Sequence, residues 1–183
     1  MNLSGPNLLS DWSYRMERKS AKSQPMSETT WSLRPATESD LEKIVVIEAK
    51  VHVAPWNLEH FRSELGKPYS RLLVMTDDET DEQIAGYIVA WLMFDECQIL
   101  NLAVDLPYRG LGFAKKMIQK VIQQAIQKNL NRVTLDVRKG NSPAIQLYQS
   151  NGFAILQVRK AFYSNGEDAY MMSLSFNSDG IPF

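Results

Sequence analysis

The chain has 183 residues, room for one domain with a sizeable core, since ~150 residues already bury roughly 70% of the unfolded surface. Its 20 basic and 21 acidic side chains leave a net charge of -1 at pH 7, so no global field draws it to nucleic acid or to a membrane. A single cysteine, Cys97, rules out an internal disulfide framework and a cysteine-rich zinc site, and two histidines, His52 and His60, argue against a histidine-rich metal site.

Residues 1–30 are rich in Ser, Asn, Pro and mixed charge without a sustained apolar period, which predicts an extension, flexible unless it docks. Leu8, Leu9, Trp12 and Tyr14 would be its anchors. No apolar run approaches the ~20 residues of a membrane span, and a reducing cytoplasm is the expected compartment.

From Trp31 the pattern becomes regular. "WSLRPA" alternates like a short strand, and "TESDLEKIVVIEAKVH" opens with Thr37 and Asp40 at capping-box spacing, followed by Leu41, Ile44, Val45 and Glu48 at helical spacing. "APWN" interrupts, and "NLEHFRSEL" predicts a second helix capped by Asn57. "RLLVMTDD", "QIAGYIVAWLMFD" and "CQILNLAVD" then read as an antiparallel meander of three strands. Cys97, among Phe94, Ile99 and Leu100, is expected to be a small buried hydrophobe rather than a catalytic thiol.

"YRGLGFAKK" forms a glycine turn between the last of these strands and an amphipathic helix. The expected apolar face of that helix is Met117, Val121, Ile122, Ala125 and Ile126. "RVTLDVR" is a strand, "NSPAIQLYQSNG" a helix with Pro143 in its first turn, and "FAILQVRKAFYS" with "DAYMMSLSF" a hairpin around Asn165-Gly166. Residues 177–183 form a short tail. This order of elements fits one mixed sheet flanked by helices.

A strand running through glycines into a helix presents free N–H groups at the positive end of the helix dipole, so the turn should hold an anion. A P-loop would need four residues between its glycines and then Lys-Ser/Thr, which are absent. A dinucleotide fingerprint would need glycine where Lys115 stands, and parallel strands where the meander lies. What remains is Arg109-x-x-Gly112-x-Ala114 after "AVD".

That segment resembles the acetyl-CoA-binding signature of the GNAT acyltransferases, and "RKGNSPAIQLYQSNGF" resembles the second block of the same family, with an Asn, a Tyr and a terminal Gly-Phe. The resemblance covers residues 31–176, which would be a single GNAT domain. It implies an α/β (α+β) fold with a mixed, mostly antiparallel, partly splayed sheet of about six to seven strands and about four helices. Within the family, "HVAPW", "NLAVD", "LDVRKGN" and "GEDAYMM" are most similar to the members that acetylate the amino-terminal alanine of a small-subunit ribosomal protein. The implied co-substrate is acetyl-CoA, with no metal, and the implied partner is a peptide amino terminus, with neither nucleic acid nor membrane.

The resemblance also assigns residues. Backbone groups of Leu102, Ala103 and Val104 would pair with the thioester arm of acetyl-CoA as a strand would. Arg109, Gly110, Leu111, Gly112, Phe113, Ala114 and Lys115 would hold its pyrophosphate, and Asn141 would touch its arm. Asp136 stands where the similar members carry a glutamate that acts as base, one methylene shorter; Glu96 is the reserve, and a water can bridge the gap. An alternative for Asp136 is a simple pair with Arg138. Tyr148 matches the family's acid, and Trp56 and Tyr163 would contact the peptide. His52 is expected to be structural. Two other functions fit the same residues: acetylation of a different protein amine or a small amine, and a non-catalytic acetyl-CoA-binding module.

Overall fold

The computed structural model describes residues 30–177, so the expected extension and tail lie, but for Thr30 and Asn177, outside the described residues. Strand β1 (Trp31–Pro35) leads through a 3-10 turn at Glu38–Asp40 into α1 (Leu41–Val51). The Thr37/Asp40 signal therefore closes this extra turn ahead of the α-helix, with Thr37 N–H donating to Asp40 Oδ2 at 2.7 Å. Helix α2 (Leu58–Leu65) starts as expected, its His60 N–H donating to Asn57 Oδ1 at 3.0 Å.

The meander is β2 (Ser70–Asp77), β3 (Ile84–Met93) and β4 (Glu96–Val104). Helix α3 (Phe113–Gln127), β5 (Arg132–Arg138), α4 (Ser142–Ser150), β6 (Ala154–Arg159) and β7 (Ala169–Ser175) complete the described chain. The sheet order is β1-β2-β3-β4-β5-β7-β6. Its only parallel pair among the described residues is β4 with β5, because a parallel partner needs a crossover and α3 supplies it.

Helices cover both faces of this sheet, so β2 and β3 are buried almost throughout instead of alternating. Leu72, Val74, Tyr87 and Val89 pack with Leu41, Ile44, Ile47 and Phe61 from α1 and α2. Leu73, Met75, Ile88 and Ala90 pack on the other side with Met117, Ile118 and Val121 of α3 and Tyr148 of α4. The α3 stripe is rotated from its expected position: Ile118 is fully buried, while Ile122 and Ile126 are only partly covered. Sheet curvature selects the centre of that stripe, which periodicity alone leaves loose.

Strands β4 and β5 stay paired only from Glu96↔Arg132 to Ile99↔Leu135. The register of β3 against β4 jumps from Val89↔Asn101 to Ala90↔Ile99, leaving Leu100 as an extra residue. Such a bulge bends its strand. Beyond it β4 runs on through Leu100–Val104 beside β3, while β5 stays with β7 through Asp136, Val137 and Arg138, and a wedge opens between them. Gly86 secures the β4 side of the wedge: a Cβ there would stand 2.4 Å from the Ala103 carbonyl oxygen, so only glycine lets the strands approach.

Candidate active site

The wedge is the floor of a cleft of about 930 Å³. One wall is β4 from Ile99 to Val104, and the other is β5 from Leu135 to Arg138 with Asn141, Pro143, Ala144, Leu147 and Tyr148. One end is the glycine turn and the start of α3, and the other is the α1–α2 loop with Trp56.

The start of α3 leaves its first N–H groups without a side-chain cap. Helices α1 and α2 carry Glu42 and Glu59 in their first turns, and Asn57 caps α2 with its side chain. Helix α3 has neither a side-chain cap nor an acidic residue there, and carries Lys115 and Lys116 where a dipole alone would favour acids. Gly110 and Gly112 both have φ of +80° while nothing lies within 4 Å of a Cβ built on either, so backbone conformation and not space demands glycine. Of the residues expected to hold pyrophosphate, Arg109, Gly110, Gly112, Phe113, Ala114 and Lys115 line the cleft. Leu111 does not; its side chain is exposed on the outside of the turn. The Arg109 Nε–H is turned back onto the Val104 carbonyl at 3.3 Å, tying the turn to the end of β4.

Asp136 projects from β5 into the cleft, on the strand face opposite the core residues Leu135 and Val137. Its Oδ2 accepts from Arg159 Nη1 at 3.1 Å. Its Oδ1 is buried and has no hydrogen-bond partner in the protein. Burial raises the carboxyl pKa above its ordinary value, and the Arg159 charge opposes the rise. Removing that charge in Arg159→Ala is expected to raise the Asp136 pKa further. A carbon-detected NMR titration of the Asp136 carboxyl measures it, and an unchanged or lowered value would refute the coupling.

Asp136 therefore pairs with Arg159, not with Arg138, which is stacked 3.7 Å over the Tyr163 ring and bridged to Glu167 at 2.8 Å. A pairing across the β6–β7 hairpin beats one along the same strand because Arg138 faces the loop 160–168, where Tyr163 and Glu167 sit. Glu96 falls out as a base: it sits at the closed end of the wedge, opposite Arg132, and pairs with that residue at 2.8 Å.

Tyr148 lines the cleft with its ring packed edge-on against Phe153, centroids 5.8 Å apart. Burial, with a smaller effect from Tyr163, raises its pKa, so the hydroxyl stays protonated at neutral pH. Asn141 also lines the cleft, with its Oδ1 committed to capping α4 through Ala144 N–H at 3.2 Å. At the far end Trp56 packs on Phe61, centroids 5.3 Å apart, and Tyr163 also lines the cleft. Cys97 is fully buried outside the cleft, its thiol pushed up to about 12 by burial and by the neighbouring Glu96, as fits a core residue.

Two cleft-side groups escaped the sequence reading. Arg159 reaches Asp136 across 23 positions, and no spacing rule announces it. Glu48 lines the cleft from α1 and is 1% exposed; its one signal in the sequence was a charge at apolar helical spacing.

The splayed mixed sheet thus sets a bare helix amino terminus, a carboxylate and a tyrosine around one cleft. The model of the acetyltransferase (GNAT) family matches residues 39–153, and the chain belongs to that family. It is thus an acetyltransferase with acetyl-CoA as co-substrate. A protein of Bacillus subtilis (strain 168), named provisionally as a ribosomal protein bS18-alanine N-acetyltransferase, is 33% identical over 151 residues, covering 81% of this chain and 98% of its own. The crystal structure of the ribosomal-protein-S18-alanine N-acetyltransferase from Escherichia coli superposes with a TM-score of 0.72 at 26% identity, over 80% of this chain and 94% of that one. Arabidopsis thaliana NAA60, solved in complex with acetyl-CoA, shares the fold with a TM-score of 0.73 at 24% identity, over 80% of this chain and 100% of its own.

Proposed function

We propose that this chain is an N-alpha-acetyltransferase that moves the acetyl group of acetyl-CoA to the amino-terminal alanine of a small-subunit ribosomal protein, as the names of its relatives describe for them. Residues 31–176 are its catalytic domain, and it works in the cytoplasm. Among the described residues no helix is long and apolar enough to cross a membrane.

The observation that carries the reading is the unpaired, buried Asp136 Oδ1 in the same cleft as the Tyr148 ring and the bare start of α3. An acceptor amine has pKa ~8 and arrives mostly protonated at neutral pH. Asp136, as base, takes one proton from the ammonium, directly or through a water, while the Arg159 charge opposes the rise that burial gives the carboxyl pKa. The neutral nitrogen attacks the thioester carbonyl, the C–S bond breaks, and the departing sulfur receives a hydrogen bond and then a proton from the Tyr148 hydroxyl. The second proton on nitrogen restores that hydroxyl. Backbone groups of Leu102, Ala103 and Val104 hold the donor's arm, with Asn141 beside it, and the loop from Arg109 to Lys115 holds its pyrophosphate. Trp56 and Tyr163 flank the incoming peptide.

Mass spectrometry of ribosomal proteins from cells with and without this chain tests the reading. One added acetyl group on an amino-terminal alanine is the expected result. Peptides with free and blocked amino termini separate the alternatives: product from the blocked peptide means a lysine acceptor, and cofactor binding without product from any amine means a binding module.

A further inference from the structure

Glu48 is a carboxylate in the wrong kind of place. It lies on the apolar face of α1 with Leu41 and Ile44, no Lys or Arg pairs with it among the described residues, and it is 1% exposed. A buried carboxylate is costly unless hydrogen bonds satisfy it. Its Oε1 accepts from Trp56 N–H at 2.8 Å and from Asn101 Nδ2 at 3.1 Å, and its Oε2 accepts from the Tyr87 hydroxyl. His52 Nε2 stands 3.4 Å from Oε2 without hydrogen-bond geometry. Burial, and then the bond to Glu48, hold the Tyr87 hydroxyl well above its ordinary pKa, so it is a permanent donor.

The donors come from three places that must keep register for a substrate to be read: β3, the cleft strand β4, and the loop at the mouth of the cleft. Asn101 immediately precedes Leu102 in the cleft wall, and Trp56 closes the far end. The loop 52–57 is without helix or strand, and Val53 on it is 85% exposed. Among the described residues nothing but the Glu48 carboxylate accepts the Trp56 backbone N–H.

We propose that Glu48 is a positioning residue that sets the acceptor loop against the cleft strand, and so governs selection of the acceptor without taking part in acetyl transfer. This rests on the reading above that the peptide enters beside Trp56. The hydrogen bonds, not the charge, carry the role: a glutamine presents the same oxygen to Trp56 and Asn101 and an N–H₂ to the Tyr87 oxygen.

Steady-state kinetics on Glu48→Ala and Glu48→Gln test it. Loss of bonds to buried groups is expected to raise the acceptor-peptide KM of Glu48→Ala about tenfold or more, while kcat and the acetyl-CoA KM stay within about threefold. Glu48→Gln is expected to stay near the parent in all three. An unchanged acceptor KM in Glu48→Ala, an equal loss for both substrates, or a Glu48→Gln with a collapsed kcat overturns the proposal, the last by making the charge itself necessary. Amide hydrogen exchange at Trp56 gives a reading that needs neither a known acceptor nor a stable alanine variant. In the parent protein and in Glu48→Gln that amide is expected to exchange about a hundredfold more slowly than a free loop amide; free-loop exchange in the parent removes the tether. Should the parent acetylate no peptide while the Trp56 amide is protected, the functional reading fails and the tether stands.

Discussion

Asp136→Asn is expected to lower kcat at pH 7 by about 10²–10⁴, the range for loss of a positioned general base, with the affinity for acetyl-CoA unchanged. The amide is isosteric and can still accept from Arg159, so the β5–β6 contact survives while the proton acceptor is lost. The defect has a pH signature that a structural lesion lacks. An α-amine has pKa ~8, so above about pH 9 the acceptor is already neutral and the base has little left to do. The ratio of parent to variant rates should therefore be largest near pH 6 to 7 and shrink as pH rises. Asp136→Glu keeps the carboxylate on a side chain one methylene longer, and is expected to retain activity within about tenfold. Unchanged turnover in Asp136→Asn at neutral pH would remove Asp136 as base, and a defect constant from pH 6 to 9.5 would make its role structural.

For Tyr148→Phe the expected fall in kcat is about 10²–10³, again without loss of acetyl-CoA affinity, because the ring and its contact with Phe153 are kept. A thiol has pKa ~8.5, and the buried Tyr148 hydroxyl is raised above its own ordinary value. Complete proton transfer before the C–S bond breaks would thus be uphill. In the proposed mechanism the hydroxyl instead lends a hydrogen bond to charge growing on sulfur and completes the transfer as nitrogen returns a proton. This defect should not narrow at high pH, which separates it from that of Asp136→Asn. An equal kcat in the phenylalanine variant would leave Tyr148 as a core aromatic, and a thioester with a more acidic thiol should shrink the defect if the acid role holds.

Much of the architecture was legible because it is local. The alternation in "RVTLDVR" told which side Asp136 takes, and the missing acids at the start of α3 could be counted in the letters. The glycine turn was read from the letters, and both Gly110 and Gly112 adopt positive φ in it. The pairing of Asp136 could not be read the same way. Arg138 was the near partner by spacing, but the hairpin returns Arg159 to the carboxylate and leaves Arg138 to Tyr163 and Glu167. Glu96 was a plausible reserve only while the length of the β4–β5 pairing was unknown. With pairing confined to Glu96 through Ile99, that residue lies at the closed end and Asp136 just past the opening.

Taken by itself, the sequence determined the order of strands and helices, the glycine turn that opens α3, and the membership in one family that two motif blocks at their spacing imply. These follow from periodicity, capping and backbone rules that act within a few residues. Only the tertiary structure decided the surroundings of each carboxylate. Asp136 and Glu48 look alike in the chain, each an acid flanked by apolar neighbours. Packing leaves one with an open oxygen in the cleft and surrounds the other with donors 8, 39 and 53 positions away. A carboxylate's chemistry is set by which groups desolvate and hydrogen-bond it, and those groups meet only when the sheet closes.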